Sequence, residues 1–173
     1  MRTLIVVDMQ NDFIDGSLGT PEAVAIVPKV KAKINEYLKT EDNIIFTQDT
    51  HYSNYLKTNE GKHLPIEHCI WGTDGWRIRE ELEAEDIADR VIEKNTFGYS
   101  DWDSCTELFH VDKIEIIGLC TDICVITNAL TIKNMYPDCE IVVDASCCAG
   151  TTLEKHEAAL KIMESCQINI INK

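Results

Sequence analysis

Three residue types that can form a nucleophilic site occur at the ends of separate apolar runs. Cys124 opens a predicted helix shortly after one such run. Helix-terminal N–H groups are expected to lower the pKa of its thiol, and they could also hold an oxyanion. Cys120 is a competing nucleophile on the same argument. Asp8 and Lys94 each end another run, as a base and an electrostatic partner would. The alternatives are a buried structural cysteine, a capping aspartate and a solvated lysine.

A second group of residues has the composition of a metal site. Asp49 and His51 are two residues apart on a predicted extended segment, so their side chains point to the same side. Glu60, His63 and His68 follow within the next stretch of chain. Carboxylate and imidazole ligands without a thiolate suit Zn²⁺, Mn²⁺ or Fe²⁺. A polar loop with scattered histidines is the alternative interpretation.

The elements that must position these residues are short strands alternating with helices. Helical patterns cover Pro28–Leu38, with Pro28 in the first turn, and Cys124–Met135, while a capping box at 151–154 opens a third helix through Cys166. This alternation predicts an α/β fold with a mostly parallel sheet, whose strand ends form a binding crevice. The predicted strands are rich in valine and isoleucine, as in sheets that are covered on both faces. They are Thr3–Val7, Asn43–Thr47, Arg90–Lys94, Lys113–Gly118, Glu140–Asp144 and Ile168–Ile171.

Length and composition limit the class of protein. The 173 residues fit a single domain spanning 1–173, in which a stretch of about 48–76 without periodicity is predicted to be a functional loop. With 16 basic and 30 acidic residues the net charge is −14, which argues against nucleic acid or an anionic membrane as the main partner. The apolar run at the amino terminus is too short for a secretory signal. We therefore expect a cytoplasmic protein whose eight cysteines stay reduced.

Taken together, the motifs resemble the isochorismatase-like cysteine hydrolase superfamily, and within it the nicotinamidase/pyrazinamidase branch. The resemblance covers nearly the whole chain. It is carried by Leu4–Phe13, Asp49–His51, His68–Thr73 and Gly118–Val125, with Lys94 ending the third strand. It implies a three-layer domain in which helices flank a six-stranded sheet.

The same resemblance implies roles for the residues at the strand ends. Asp8, Lys94 and Cys124 would form a catalytic triad that cleaves an amide through a cysteine thioester. The peptide between Leu119 and Cys120 would be cis, and the backbone N–H groups of Cys120 and Cys124 would form the oxyanion hole. On this basis Cys120 acts through its backbone and Cys124 through its sulfur.

The resemblance also implies one divalent metal ion, with zinc favoured over manganese or iron, that orients the pyridine nitrogen of the substrate. Asp49, His51 and His68 match family ligands directly. Glu60 is the expected remaining ligand, and His63 is its rival. The expected walls of the substrate pocket are Phe13, Phe97, Tyr99 and Trp102.

The sequence therefore predicts a nicotinamidase-like amidohydrolase that converts nicotinamide to nicotinate and ammonia in pyridine-nucleotide salvage. Its partner would be a small amide, and the resemblance implies a homo-oligomer. Pro65 stands where many nicotinamidases have an aromatic residue. Hydrolysis of another small amide or a ureido compound is therefore the alternative. A non-catalytic metal-binding or scaffold protein is the alternative from another class.

Overall fold

The computed structural model describes residues 1–173, and its six strands form one sheet. The strands are β1 (Arg2–Val7), β2 (Asn43–Asp49), β3 (Arg90–Lys94), β4 (Lys113–Leu119), β5 (Glu140–Ala149) and β6 (Asn169–Ile171). Their order is β3-β2-β1-β4-β5-β6, and every neighbouring pair is parallel. The central strands β1 and β4 are buried along almost their whole length, which explains their continuous valine and isoleucine content. The predicted fold class is confirmed.

Helices connect the strands and flank the sheet. They are α1 (Asn11–Ile14), α2 (Pro21–Lys39), α3 (Asn59–His63), α4 (Ala84–Ile87), α5 (Ile126–Met135) and α6 (Leu153–Ser165). A π-helical turn, Thr121–Val125, leads directly into α5. None of the helices combines the length and the apolar character needed to cross a bilayer.

Helix α2 begins seven residues earlier than the sequence pattern indicates. Thr20 is the N-cap, its hydroxyl accepting a hydrogen bond from the Ala23 N–H at 3.0 Å, and Pro21 occupies the first turn. Pro28 therefore lies inside the helix, and its assignment to the first turn was wrong. It is on the exposed face, where water can satisfy the carbonyl that loses its helical partner.

The sheet order brings the four candidate strand ends together. Asp8 follows β1, Asp49 ends β2, Lys94 ends β3, and Cys124 lies in the turn after β4, and these four strands are neighbours. Gly118 makes this approach possible, because a Cβ at its position would lie 2.2 Å from the carbonyl oxygen of Val7. Its φ of 118° is also one that side-chain-bearing residues rarely adopt.

Candidate active site

A buried ion pair forms the centre of the candidate site. The Nζ of Lys94 lies 2.6 Å from Oδ2 of Asp8 and 3.8 Å from Sγ of Cys124, so one ammonium contacts both groups. Thr47 donates a hydrogen bond to Oδ1 of Asp8 at 2.6 Å, and the carbonyl of Thr96 accepts one from Lys94 at 3.1 Å. All three predicted triad residues are buried, which protects their interactions from screening by water. The structure brings the predicted triad together.

Burial is the largest single influence on the pKa values of Asp8, Lys94 and Cys124. Burial raises the pKa of Asp8, and the neighbouring Asp49 raises it further, against the opposing effect of Lys94. Burial by itself lowers the pKa of Lys94, but the contacts with Asp8, Cys124 and Asp49 together outweigh burial, and the net pKa is raised. Burial and the charge of Asp8 also hold the pKa of Cys124 well above its usual value. The expectation of a lowered thiol pKa was wrong, because desolvation outweighs the helix terminus. The resting thiol is neutral and needs a base.

The turn that carries Cys124 is held in place by Asn128, a residue that no sequence motif indicated. The Asn128 amide donates a hydrogen bond to the Cys124 carbonyl at 2.9 Å. The Asn128 side-chain oxygen accepts hydrogen bonds from the Tyr99 backbone N–H at 2.8 Å and from the Trp102 indole at 3.2 Å. Trp102 is completely buried, and its ring packs edge-on against Tyr99. Neither lines the cavity, so these two expected pocket walls instead support the turn of the nucleophile.

Cys120 stands at the junction of β4 and this turn. The peptide between Leu119 and Cys120 is cis, as the resemblance implied. Cys120 and Cys124 both line the cavity. Burial and nearby carboxylates raise the pKa of Cys120 to about 12. Its thiol is therefore a poor nucleophile at neutral pH. All eight cysteines are free.

Asp49, His51 and His68 form a compact cluster of potential metal ligands. One ligand atom from each lies within 4.8 Å of the others, and all three residues are buried. The Nε2 of His51 is buried and makes no well-aligned hydrogen bond, although Oδ2 of Asp49 lies 2.8 Å from it. His68 donates from Nδ1 to the Ile66 carbonyl at 2.9 Å, which leaves its Nε2 free to bind a metal. The His51 nitrogen without an aligned hydrogen bond, and the set of oxygen and nitrogen ligand atoms around it, fit a divalent ion such as Zn²⁺.

Electrostatics keep Asp49 in the form that binds metals. Burial alone would raise the pKa of Asp49, but its contacts with His51 and Lys94 outweigh burial and lower it. Lys94 Nζ lies 3.6 Å from Oδ1 of Asp49, so this carboxylate borders both the metal cluster and the ion pair with Asp8.

The two candidates for the remaining ligand occupy different environments. Oε1 of Glu60 lies 3.6 Å from Nε2 of His51 and 3.5 Å from Nε2 of His68. His63 is exposed, and its Nδ1 is 2.8 Å from the carbonyl of Asn59 within the same short helix. The geometry therefore favours Glu60.

A cavity of about 1080 Å³ connects the cysteine and the metal cluster. Phe13 and Phe97 line it, as expected from the sequence. Tyr55 also lines it and was missed, although it lies in the predicted loop. Its ring packs edge-on at 4.8 Å from the ring of His51 and at 5.0 Å from that of His68, so it holds both imidazoles. The sequence did contain a signal for this role, because Tyr55 is an aromatic residue that lies between His51 and His68 in the chain.

Comparisons with known proteins agree with this geometry. The family model described as the isochorismatase domain matches residues 2–173. The nicotinamidase/pyrazinamidase of Mycobacterium tuberculosis is 26% identical, covering 99% of this chain and 98% of its own. A pyrazinamidase of Pyrococcus horikoshii, solved in complex with zinc, has a TM-score of 0.80 and 26% identity over 99% of both chains. A pyrazinamidase/nicotinamidase of Streptococcus mutans has a TM-score of 0.84 and 27% identity, covering 99% of this chain and 100% of its own.

Proposed function

The chain belongs to the isochorismatase family, and we propose that it is a cysteine-dependent amidohydrolase that converts nicotinamide to nicotinate and ammonia. One observation carries the proposal. A single ammonium, that of Lys94, contacts the carboxylate of Asp8 and the thiol of Cys124 beside a cavity that also holds a metal-type cluster. The relatives that act on nicotinamide or pyrazinamide support the choice of substrate.

The first half of the reaction forms a thioester. Asp8 accepts the proton of the Cys124 thiol, and the thiolate attacks the carboxamide carbon of the substrate. The pKa of Asp8 is raised, which makes its carboxylate a stronger base. A stronger base is needed because the pKa of the Cys124 thiol is raised as well. The negative charge on the carbonyl oxygen is held by the backbone N–H groups of Cys120 and Cys124. The proton held by Asp8 passes to the amide nitrogen, the C–N bond breaks, and ammonia leaves.

The second half of the reaction regenerates the enzyme. Asp8 takes a proton from water, and the resulting hydroxide attacks the thioester carbon. The C–S bond breaks, the Cys124 sulfur takes back the proton held by Asp8, and the acid product leaves as nicotinate after releasing its proton to water. Lys94 remains charged throughout, because its pKa is raised, and it stabilises the negative charge that moves between the carboxylate and the sulfur.

We propose that Asp49, His51, Glu60 and His68 hold one divalent ion, with zinc as the first choice. A related pyrazinamidase has been solved in complex with zinc, which supports this choice. When bound, the ion would coordinate the pyridine nitrogen of the substrate and so orient its ring. Phe13 packs against the ring of His68 at 5.5 Å and lines the cavity, so it can contact the flat face of the substrate.

The experiment that tests this function measures ammonia release from nicotinamide and from benzamide by the zinc-loaded protein. Benzamide has the same shape but lacks the ring nitrogen. Nicotinamide should be hydrolysed with the higher kcat/KM, since only its ring nitrogen can be coordinated. Absence of ammonia release from nicotinamide would contradict the proposed function. Equal kcat/KM values for the two amides would contradict the proposed role of the metal.

Removing the Glu60 carboxylate should weaken zinc binding more than removing His63. We expect Glu60→Ala to raise the zinc Kd by about 100-fold, because altering residues behind the ligands already costs 10–100-fold in metal proteins. His63→Ala should leave the Kd close to that of the wild type. Competition with a chromogenic chelator measures both. If His63→Ala raised the zinc Kd more than Glu60→Ala did, His63 and not Glu60 would be the remaining ligand.

We also propose three properties that the sequence predicts. These are a single domain over 1–173 with its functional loop at about 48–76, a cytoplasmic location and a homo-oligomeric state. A role in pyridine-nucleotide salvage follows from the proposed reaction, because nicotinate is a precursor that such a route can reuse.

A further inference from the structure

Gln10 is a completely buried side chain that makes three hydrogen bonds beneath the metal cluster. Its Oε1 accepts a hydrogen bond from the backbone N–H of Asp49 at 2.7 Å. Its Nε2 donates one to the carbonyl of Asp49 at 2.8 Å and another to the carbonyl of Trp76 at 2.8 Å. One amide side chain therefore satisfies both backbone groups of a single residue, and that residue is a candidate metal ligand.

The end of β1 explains why this contact exists. The pairing of β1 with β2 stops at Val7 and Thr47, because Asp8 has a φ of 47° and turns the chain away. Asp49 still pairs with Lys94 of β3 on its other side. Without Gln10, the two backbone groups of Asp49 that face β1 would be buried and unpaired, which costs about 1–3 kcal/mol for each group. The Gln10 amide takes the place of the missing strand.

We infer that Gln10 is a positioning residue for the metal site, which it serves by fixing the backbone of Asp49. The Asp49 carboxylate lies 2.8 Å from Nε2 of His51 on one side and 3.6 Å from Lys94 on the other. A rotation of the Asp49 backbone would therefore move a ligand away from the imidazoles and alter the charge next to Lys94. The inference rests on the metal site of the proposed function and extends it to a residue that contacts no metal.

The neighbouring Gln48 provides a matched control. Its Nε2 donates a hydrogen bond to the same Trp76 carbonyl at 2.9 Å, and it is also largely buried. It makes no side-chain hydrogen bond to Asp49. Gln10→Met and Gln48→Met each replace a buried amide by an apolar side chain of similar length. Only Gln10→Met removes the hydrogen bonds to the backbone of Asp49.

The test measures zinc Kd and the visible spectrum of the Co²⁺-substituted protein for wild type and both variants. We expect Gln10→Met to bind zinc 10–100-fold more weakly, the usual cost of losing a residue that orients a ligand. The d–d bands of cobalt should also shift, because they report ligand geometry. Gln48→Met should match the wild type in both measurements, even if both variants lose a similar amount of thermal stability.

A second variant serves if Gln10→Met does not fold. Gln10→Glu keeps the acceptor for the Asp49 N–H but loses both donors, so its zinc Kd should also exceed that of Gln48→Met. Equal Kd values and cobalt spectra for the Gln10 and Gln48 variants would overturn the inference. Absence of zinc binding by the wild type would overturn it together with the metal site. The nicotinamide assay is a separate measurement. If the wild type releases ammonia but Gln10→Met binds zinc as tightly as the wild type, only the proposed role of Gln10 is contradicted, and the proposed function stands.

Discussion

Replacing Cys124 by alanine is expected to lower kcat for nicotinamide hydrolysis by about 10,000-fold or more, the scale on which nucleophile removal acts in covalent catalysis. The substitution removes the only atom that can form the thioester. Alanine loses the contact between the Cys124 sulfur and Lys94, but it keeps the backbone hydrogen bond by which Asn128 holds the carbonyl of this buried turn. Ammonia release under saturating nicotinamide measures the effect, and near-UV circular dichroism checks the fold.

Cys120→Ala is the matched control for this substitution. Cys120 also lines the cavity and lies only four residues earlier, but its proposed contribution is made by its backbone, which alanine retains. Its kcat should stay within about tenfold of the wild type, less than the effect of losing a catalytic group. If Cys120→Ala abolished activity while Cys124→Ala retained it, the assignment of the nucleophile would be reversed.

Asp8→Asn should reduce kcat by about 100- to 10,000-fold, the usual contribution of a general base. Asparagine has the size of aspartate and can keep the contact with Thr47, but it cannot accept the proton of the Cys124 thiol. Since burial keeps that thiol neutral, no thiolate forms without the base. Substrate affinity should change less than kcat, because Asp8 lies beneath the cavity and does not line it.

The loss of Asp8 also leaves the buried ammonium of Lys94 without its main partner, which costs about 3–5 kcal/mol in stability. The double variant Asp8→Asn/Lys94→Met separates the two effects, because it removes the unpaired charge together with the base. Its thermal stability should recover relative to Asp8→Asn, whereas its activity should not. Recovery of activity along with stability would show that Asp8 acts only through folding.

The sheet was predictable because its central strands are short runs rich in valine and isoleucine. β1 and β4 are buried on both faces, so selection for β-branched side chains is strong over their whole length. The end of β1 is also recognisable, since the charged residue Asp8 directly follows the apolar run Leu4–Val7. The convergence of the site then followed from the parallel arrangement.

Features that depend on three-dimensional surroundings were not predictable from local pattern. The start of α2 is an exception, because it was missed although Thr20 directly before Pro21 is a local N-cap signal. The raised pKa of Cys124 depends on how completely it is buried, which its position before a helix does not reveal. Trp102 follows Lys94 closely in sequence, yet its indole faces Asn128 and the interior.

The order of the strands also separates the site into two portions of the growing chain. A chain synthesised only through β3 contains all four proposed metal ligands and the Asp8–Lys94 pair, but it has no nucleophile. In the complete sheet β2 pairs with one edge of β1, and β4 pairs with the other edge. Because β4 is followed at once by the turn that carries Cys124, the step that closes this edge also delivers the reactive sulfur. A ribosome therefore synthesises the metal ligands, the base and the lysine of the site before it synthesises the nucleophile.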